Sequence, residues 1–362
     1  MEKLRLAAPP QTATVSFALE PAHNAATSLM LLCDADETSG LDEWVYKTAR
    51  SLAPELARVN SLVIGSLGAI DRLGTSSWPS FPAWVDDLQA REAVSMRDSF
   101  LEDLIAGATK MLDEQPPEPE ELLADRDGYV AFVERIHACK DACCDPVLTA
   151  EAHDLLTEPA AMQEMIVGHL RTMWTDVLAD EWERRLPFLQ QSVAAFEARA
   201  LPDLSLDEAV QLVAGRELPG PWAEWEEQTE QIIFIPSPHL GPYLSTSGPI
   251  EGIMRMAFGA RVPERVQPGS QALSRSELLM RLNALADDTR LRILQLLADE
   301  GELSAAEILA RLELSQSATS RHLRQLTATG YVGVRKREGV NLYHLSRAGI
   351  GGTLDTLQEF LG

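Results

Sequence analysis

Residues 304–345 read SAAEILARLELSQSATSRHLRQLTATGYVGVRKREGVNLYHL, and the order of signals in them is that of a helix, a tight turn, a second helix and a basic hairpin. Ser304 with Glu307 three residues later forms a capping box, in which each side chain satisfies a backbone N–H left unpaired where a helix begins. The first helix is therefore expected from about Ala305, with Ile308, Leu309 and Leu312 on one face. Glu313 to Ser315 then interrupts the pattern over too few residues for anything but a turn, and Ser315 is the natural N-cap of the next helix. At about 100° per residue from Gln316, the side chains of Thr319, His322, Leu323 and Leu326 share one side of that helix, and Ser317, Ser320, Arg321 and Arg324 share the other. Gly330 ends the helix. Beyond it, residues 331–335 and 340–345 have strand composition and are joined through Lys336 to Gly339, which makes a wing.

The outer face of the second helix carries short hydrogen-bonding groups and two guanidinium forks, which suit the base edges and phosphates of a major groove. Its N-terminus also offers free N–H groups to a phosphate. Arg335, Lys336 and Arg337 gather positive charge at the wing tip, suited to the sugar-phosphate backbone. The candidate DNA-binding residues are thus Gln316, Ser317, Ser320, Arg321, His322, Arg324, Arg335, Lys336 and Arg337. His322 borders the apolar face, and a packing role and a DNA contact stand equally open for it. The alternative for the whole segment is a winged helix that docks protein. Salt separates the two readings, because phosphate contacts make affinity fall steeply as salt is added.

From about Leu278 to Leu345 the chain resembles the ArsR-type winged-helix repressors, in LNALADDTRLRILQLL, LSQSATSRHLRQL and GYVGVRKREGVNLYHL taken in succession. The resemblance implies that Gln316, Ser317, Arg321 and His322 face DNA and that the protein is a homodimer reading a pseudo-palindromic operator. It also implies that the helices flanking the motif form the dimer interface. These are a helix capped by Ser276 with Leu278, Leu279, Leu282 and Leu285, and a tail from Ile350 with Leu354, Leu357 and Leu361. Metal-sensing members carry a cysteine pair at the start of the first helix of the motif. Here that position reads GELSA (301–305), so that metalloid site is absent.

The remaining length, in a chain of 362 residues, is enough for a second core. The expected fold class is mainly α, with a large helical N-terminal domain (1–270) containing a small β-sheet and a C-terminal winged helix-turn-helix domain (271–362). The boundary is placed in the turn-rich VPERVQPGS at 262–270. Residues 271–362 hold 11 Lys+Arg and 11 Asp+Glu, so the net charge of −24 belongs to residues 1–270. Residues 316–347 hold 6 basic and 1 acidic. Only charge near the phosphates releases counterions, so the local patch decides DNA binding and the acidic part faces away.

In the large domain, TATVSFAL (12–19) alternates as a strand, and its partners are expected much later, in QIIFI (231–235) and IMRMAF (253–258). Helices are expected over 23–32, 41–52, 54–70, 80–110 with one break, 126–142, 147–156 and 159–200, with Pro187 kinking or dividing the last near Arg184. Residues 115–121 (QPPEPEE) form an exposed connection. Trp174, Trp182, Phe188, Trp222 and Trp225 are core or pocket aromatics. The stretch QIIFIPSPHLGPYL, with the earlier tryptophans, resembles the helical N-terminal region of some large ArsR-like regulators, which implies a sensor or oligomerisation domain and no chemistry; a small-molecule effector stands among the candidate partners.

His137, Cys139, Cys143 and Cys144 cluster in sequence, but on a continuous helix Cys139 and Cys143 share one face while His137 and Cys144 share another. The four cannot meet on one tetrahedral ion, and no metal site is assigned. The spacings of a nucleophile elbow, a zinc protease and a P-loop are all absent. Ser237 and His239 read as loop structure. Neither an enzyme nor a cofactor is expected. With no signal peptide or membrane span and too few cysteines for a disulfide framework, the expectation is a soluble cytoplasmic protein.

Overall fold

Local signals start most helices of this chain, and long-range strand pairing closes its sheet. A computed structural model describes residues 12–74, 76–112, 114–139, 145–199, 201–215, 218, 220–262, 275–337 and 340–361. The chain divides into two compact units, one of residues 20–33 and 47–183, the other of residues 1–19, 34–46 and 184–362. This division follows packing and differs from the functional one expected at residue 270.

The first unit is helical throughout: α1 (Pro21–Cys33), α2 (Glu43–Ser51), α3 (Pro54–Asn60), α4 (Phe81–Ala90), α5 (Ala93–Met111), α6 (Pro119–Ala124), α7 (Arg126–Cys139), α8 (Pro146–Thr157) and α9 (Pro159–Met173). The first turn of α2 lies in the other unit. Proline stands in the first turn of α3, α6, α8 and α9, where its missing N–H costs nothing. Phe81, Trp84 and Leu88 of α4 are fully buried, and Phe81 stacks on Trp174 at 5.4 Å. Two expectations change here. The single helix over 54–70 is instead α3, a π turn (Ser61–Ser66) and a 3-10 turn (Ala69–Leu73) set off by Gly68 at φ +52°. The irregularity in the long stretch lies at a π turn over Trp174–Leu178, while the helix continues through Pro187. Pro187 removes one hydrogen bond, and the turns on either side hold the helix together. The exposed connection at 115–121 holds the start of α6.

In the second unit, β1 (Thr14–Phe17) pairs parallel with β2 (Gln231–Ser237), and β2 pairs parallel with β5 (Ile253–Gly259). The three strand-like runs in the sequence are therefore the strands that pair. The connection from β2 to β5 carries β3 (Leu244–Ser245) and β4 (Pro249–Ile250), both antiparallel to β5 on its other side. Parallel neighbours need such a crossover. Helices α10 (Ala179–Glu197) and α11 (Leu206–Ala214) supply Phe196, Val210 and Val213 to a core with Phe17, Phe234, Met256 and Phe258. Phe17 stacks on Phe196 at 4.8 Å, and Phe196 meets Phe258 edge-on at 5.4 Å. Sequence reading missed α11, although its capping box Ser205/Glu208 has the same form as the one at Ser304.

The same unit contains α12 (Arg275–Leu285), α13 (Asp288–Glu300), β6 (Leu303–Ser304), α14 (Ala305–Leu312), α15 (Gln316–Ala328), β7 (Val332–Arg337), β8 (Val340–Leu345) and α16 (Arg347–Leu361). The sheet order is β6-β8-β7. Ile293, Leu297, Ile308, Leu323, Leu326 and Tyr331 form its core. At about 25 cal/mol per Å² of apolar area, burying each such side chain contributes roughly 1.5–3 kcal/mol. This is the helix-turn-helix with a wing that residues 304–345 predict.

Candidate nucleic-acid interface

Helix α14 begins at the reciprocal capping box of Ser304 and Glu307, whose two bonds measure 3.3 and 2.8 Å. It ends at Glu313, which takes the left-handed conformation (φ 54°, ψ 42°), and the Leu314 N–H bonds back to Leu309 O at 3.2 Å. That reversal sets the angle between α14 and α15. Ser315 then caps α15 by accepting from Ala318 N at 3.2 Å. The far end of α15 closes with a Schellman motif around Gly330 (φ +76°). Tyr331 N donates to Leu326 O at 2.9 Å, and Gly330 N donates to Thr327 O at 3.0 Å. Leu326 and Tyr331 pack together in the core, so the turn into the wing is fixed by both backbone and side chains.

The inward face of α15 is the expected one: Thr319, His322, Leu323 and Leu326 are buried. Opposite them Gln316, Ser317 and Arg324 are exposed, and Ser320 and Arg321 are partly covered. At the start of the helix a row of polar groups thus meets solvent, next to N–H groups that no helical carbonyl satisfies. His322 is 8% exposed and lies 3.8 Å from Asp287. Burial lowers its pKa; Asp287 opposes the shift, and Arg290 and Arg321 add to it. His322 is therefore neutral at pH 7.

On the wing, Arg335, Lys336 and Arg337 are exposed at the end of β7, where Arg337 pairs with Val340 of β8. Arg335 forms an ion pair with Glu302 at the wing's root, while Glu338 and Gly339 lie outside the described residues. Cys143, Cys144 and the Cys139 side chain lie outside them as well.

Sequence reading missed a buried polar hub behind α15. Arg290 of α13 donates to Gln325 Oε1 at 2.7 Å and to Asn283 O at 3.1 Å, which ties α13, α15 and the end of α12 together. It also missed that the second half of α15 is engaged. Arg324 donates to Thr38 Oγ1 at 3.2 Å, and Ser39 Oγ donates to Gln325 Oε1 at 2.5 Å. No local pattern in residues 34–43 points to a helix nearly 300 positions later.

The sequence model described as "Bacterial regulatory protein, arsR family" matches residues 287–334, from the N-cap of α13 into the wing. The transcriptional activator HlyU of Vibrio cholerae is 42% identical over 78 residues, covering 22% of this chain and 71% of HlyU. The chain belongs to the ArsR family. The arsenic resistance transcriptional regulator ArsR1 of Pseudomonas putida is also 42% identical, over 85 residues, and the match takes in 21% of this ArsR-family chain and 66% of ArsR1. Among solved structures, a possible transcriptional regulator for arsenical resistance is 35% identical over 22% of this chain and 82% of its own, with a TM-score of 0.21. Reduced HlyU is 39% identical over 24% and 88%, with a TM-score of 0.20. The helix-turn-helix is thus that of a DNA-binding transcriptional regulator, and most of the chain lies outside the matched segment. Among the described residues no helix is long and apolar enough to cross a membrane.

Proposed function

We propose that this ArsR-family chain is a cytoplasmic repressor that binds a pseudo-palindromic operator in double-stranded DNA as a homodimer. Residues 271–362 act as the reading head, and residues 1–270 act as a domain that senses an effector or partner. One observation carries the reading. The polar start of α15 is open to solvent in the same winged helix that exposes Lys336 and Arg337.

Within that head, Gln316, Ser317, Ser320 and Arg321 read base edges from the first turns of α15, and Arg335, Lys336 and Arg337 run along the backbone beside the groove. His322 serves as packing that orients Arg321. The dimer brings two such helices about one DNA turn apart. Leu279 on α12 and Leu354, Phe360 and Leu361 on α16 are each more than half exposed, which supports these two helices as the contact between copies. For an effector, the candidate is a shallow, solvent-open cleft lined by Tyr243, Leu244, Phe258, Met280, Arg281 and Thr329. It lies where the end of α15 and the middle of α12 meet the sheet, so a ligand there acts on both the reading helix and the dimer helix. Control of this kind requires that the effector prefer one arrangement, with a coupling typically of about 1–3 kcal/mol.

The test is operator binding measured against salt, with the operator obtained by selecting bound fragments from the source genome. Arg321→Ala is expected to cost about 1–3 kcal/mol on the selected sequence and to relax preference at one base pair. Lys336→Ala is expected to weaken all sequences alike and to lower the salt slope by about one. Unchanged affinity in both variants would overturn the assigned face. Affinity for DNA that ignores salt would favour a winged helix that docks protein.

A further inference from the structure

Residues 34–43 read DADETSGLDE, with five carboxylates and no basic residue in ten positions. This segment lies against the reading helix within one compact unit. Thr38 Oγ1 receives Arg324 Nη1, Ser39 Oγ donates to Gln325 Oε1, and Gly40 sits over the Gln325 amide, where a Cβ would come within 3.0 Å of Nε2. The Arg324 guanidinium is close enough to draw the Asp34 carboxyl down, against a larger upward push from desolvation. On its other side the segment is held by many bonds. Tyr243 donates its hydroxyl to Ser39 O at 2.5 Å, and Tyr46 donates to Thr38 O at 2.9 Å. The Asp42 N–H donates to His239 O at 3.2 Å, and Arg185 pairs with the Asp42 carboxylate at 2.8 Å. Gly40 also rests on Gly241, with no room for a side chain at residue 241: a Cβ there would lie 2.2 Å from Gly40 O.

We propose that Asp34–Glu43 is an acidic clasp that occupies the second half of the reading helix and competes with DNA for it. The inference rests on the proposed reading that α15 meets DNA. The Arg324 guanidinium is turned toward Thr38 and shares its charge with Asp34, which weakens its hold on a phosphate. Asp34, Asp36 and Glu37 bring negative charge within a Debye length of any phosphate beside that helix. The anchors are unequal. Among the described residues two hydrogen bonds, from Ser39 and from Arg324, join the clasp to α15, whereas the sheet side holds it by Tyr243, Tyr46, His239 and Arg185. Separation therefore frees the helix and leaves the clasp on the sheet. A contact made only in the DNA-free form reduces apparent affinity by the fraction of molecules that are released. Tyr243 lines the cleft proposed for an effector, so a ligand there reaches the clasp through one hydroxyl.

The test uses the full-length chain and a fluorescein-labelled 30-bp duplex of mixed sequence, followed by anisotropy. Ser39→Ala and Thr38→Val, which each remove one bond between the clasp and α15, are each expected to tighten binding roughly five-fold, the effect of one hydrogen bond of ordinary net strength. The triple variant D34N/D36N/E37Q should tighten it at least as much at low salt. The control E102Q/E120Q/E134Q removes the same charge from exposed positions on helices of the other unit and should have little effect. In the unaltered protein, backbone amides of residues 34–42 should exchange hydrogen faster once the duplex is added. Equal tightening by the control would assign the effect to overall charge and overturn the clasp. Unchanged affinity in Ser39→Ala and Thr38→Val, with Lys336→Ala still weakening binding, would overturn the clasp and leave the regulator reading standing. Exchange at 34–42 that ignores the duplex would also overturn it. Absence of binding by every form, the unaltered protein included, would overturn both.

Discussion

His169 is 6% exposed, and its ring Nε2 lies 3.1 Å from Asn60 Oδ1. Asn60 uses its amide N–H groups on Leu29 O and Cys33 Sγ, both at 3.0 Å, so its oxygen is the acceptor and His169 donates from Nε2. Desolvation pulls the His169 pKa down from 6.5 to about 4. As pH falls below 6.5 the unfolded chain takes up this proton before the folded chain does. Stability is therefore full above about pH 6.5, declines toward pH 4 and levels below it, by about 3 kcal/mol at most. The urea midpoint of the protein should follow that course, and His169→Gln, which keeps a donor for Asn60, should flatten it. Parallel pH curves would show that the histidine is not buried neutral. None of this was visible from the residue itself, because a lone histidine in a helical run carries no mark of its partner. The helix-turn-helix differed: Ser304, Ser315, Thr319 and Leu323 were readable because caps and faces are decided within four residues of each other.

At the scale of elements, the turn between α14 and α15 carries a cost. Glu313 is a non-glycine residue at positive φ, which costs about 1 kcal/mol or more. Glycine there relieves the strain and loses part of the gain to its freer unfolded chain. Glu313→Gly should stabilise the winged helix by about 0.5 kcal/mol in thermal unfolding, while Glu313→Val should destabilise it by more than that. A melting temperature lower in Glu313→Gly than in the parent would contradict the strain. The long helices show the limit of local reading. Periodicity located them, but the π turns at Ser61–Ser66 and Trp174–Leu178 add one residue per turn without disturbing composition. The expected break is tied to Pro187 because proline carries the largest local penalty in a helix interior. The observed irregularity coincides instead with the Trp174 ring stacked on Phe81.

For the whole molecule, the exposed leucines of α12 and α16 have a measurable consequence. Sedimentation at micromolar concentration should give a dimer, and Leu354→Ser with Leu361→Ser should shift it toward monomer while the helical circular dichroism persists. A monomeric parent would remove the proposed two-fold reading of DNA. The strands of the larger sheet were legible as strands, because QIIFI and IMRMAF are runs of β-branched and bulky residues. Their parallel order was not, since it depends on which edges the helices leave open.

Strand β1 and its neighbour β2 are separated by more than two hundred residues, and the first compact unit is inserted between them. During synthesis at about 5–20 residues per second, the N-terminal strand has no edge to join for roughly 10–40 s. The inserted helices can finish folding in that interval. The chain that bears the reading head closes last, so a ribosome stalled before Gln231 would leave a folded helical bundle trailing a sticky, unpaired N-terminus.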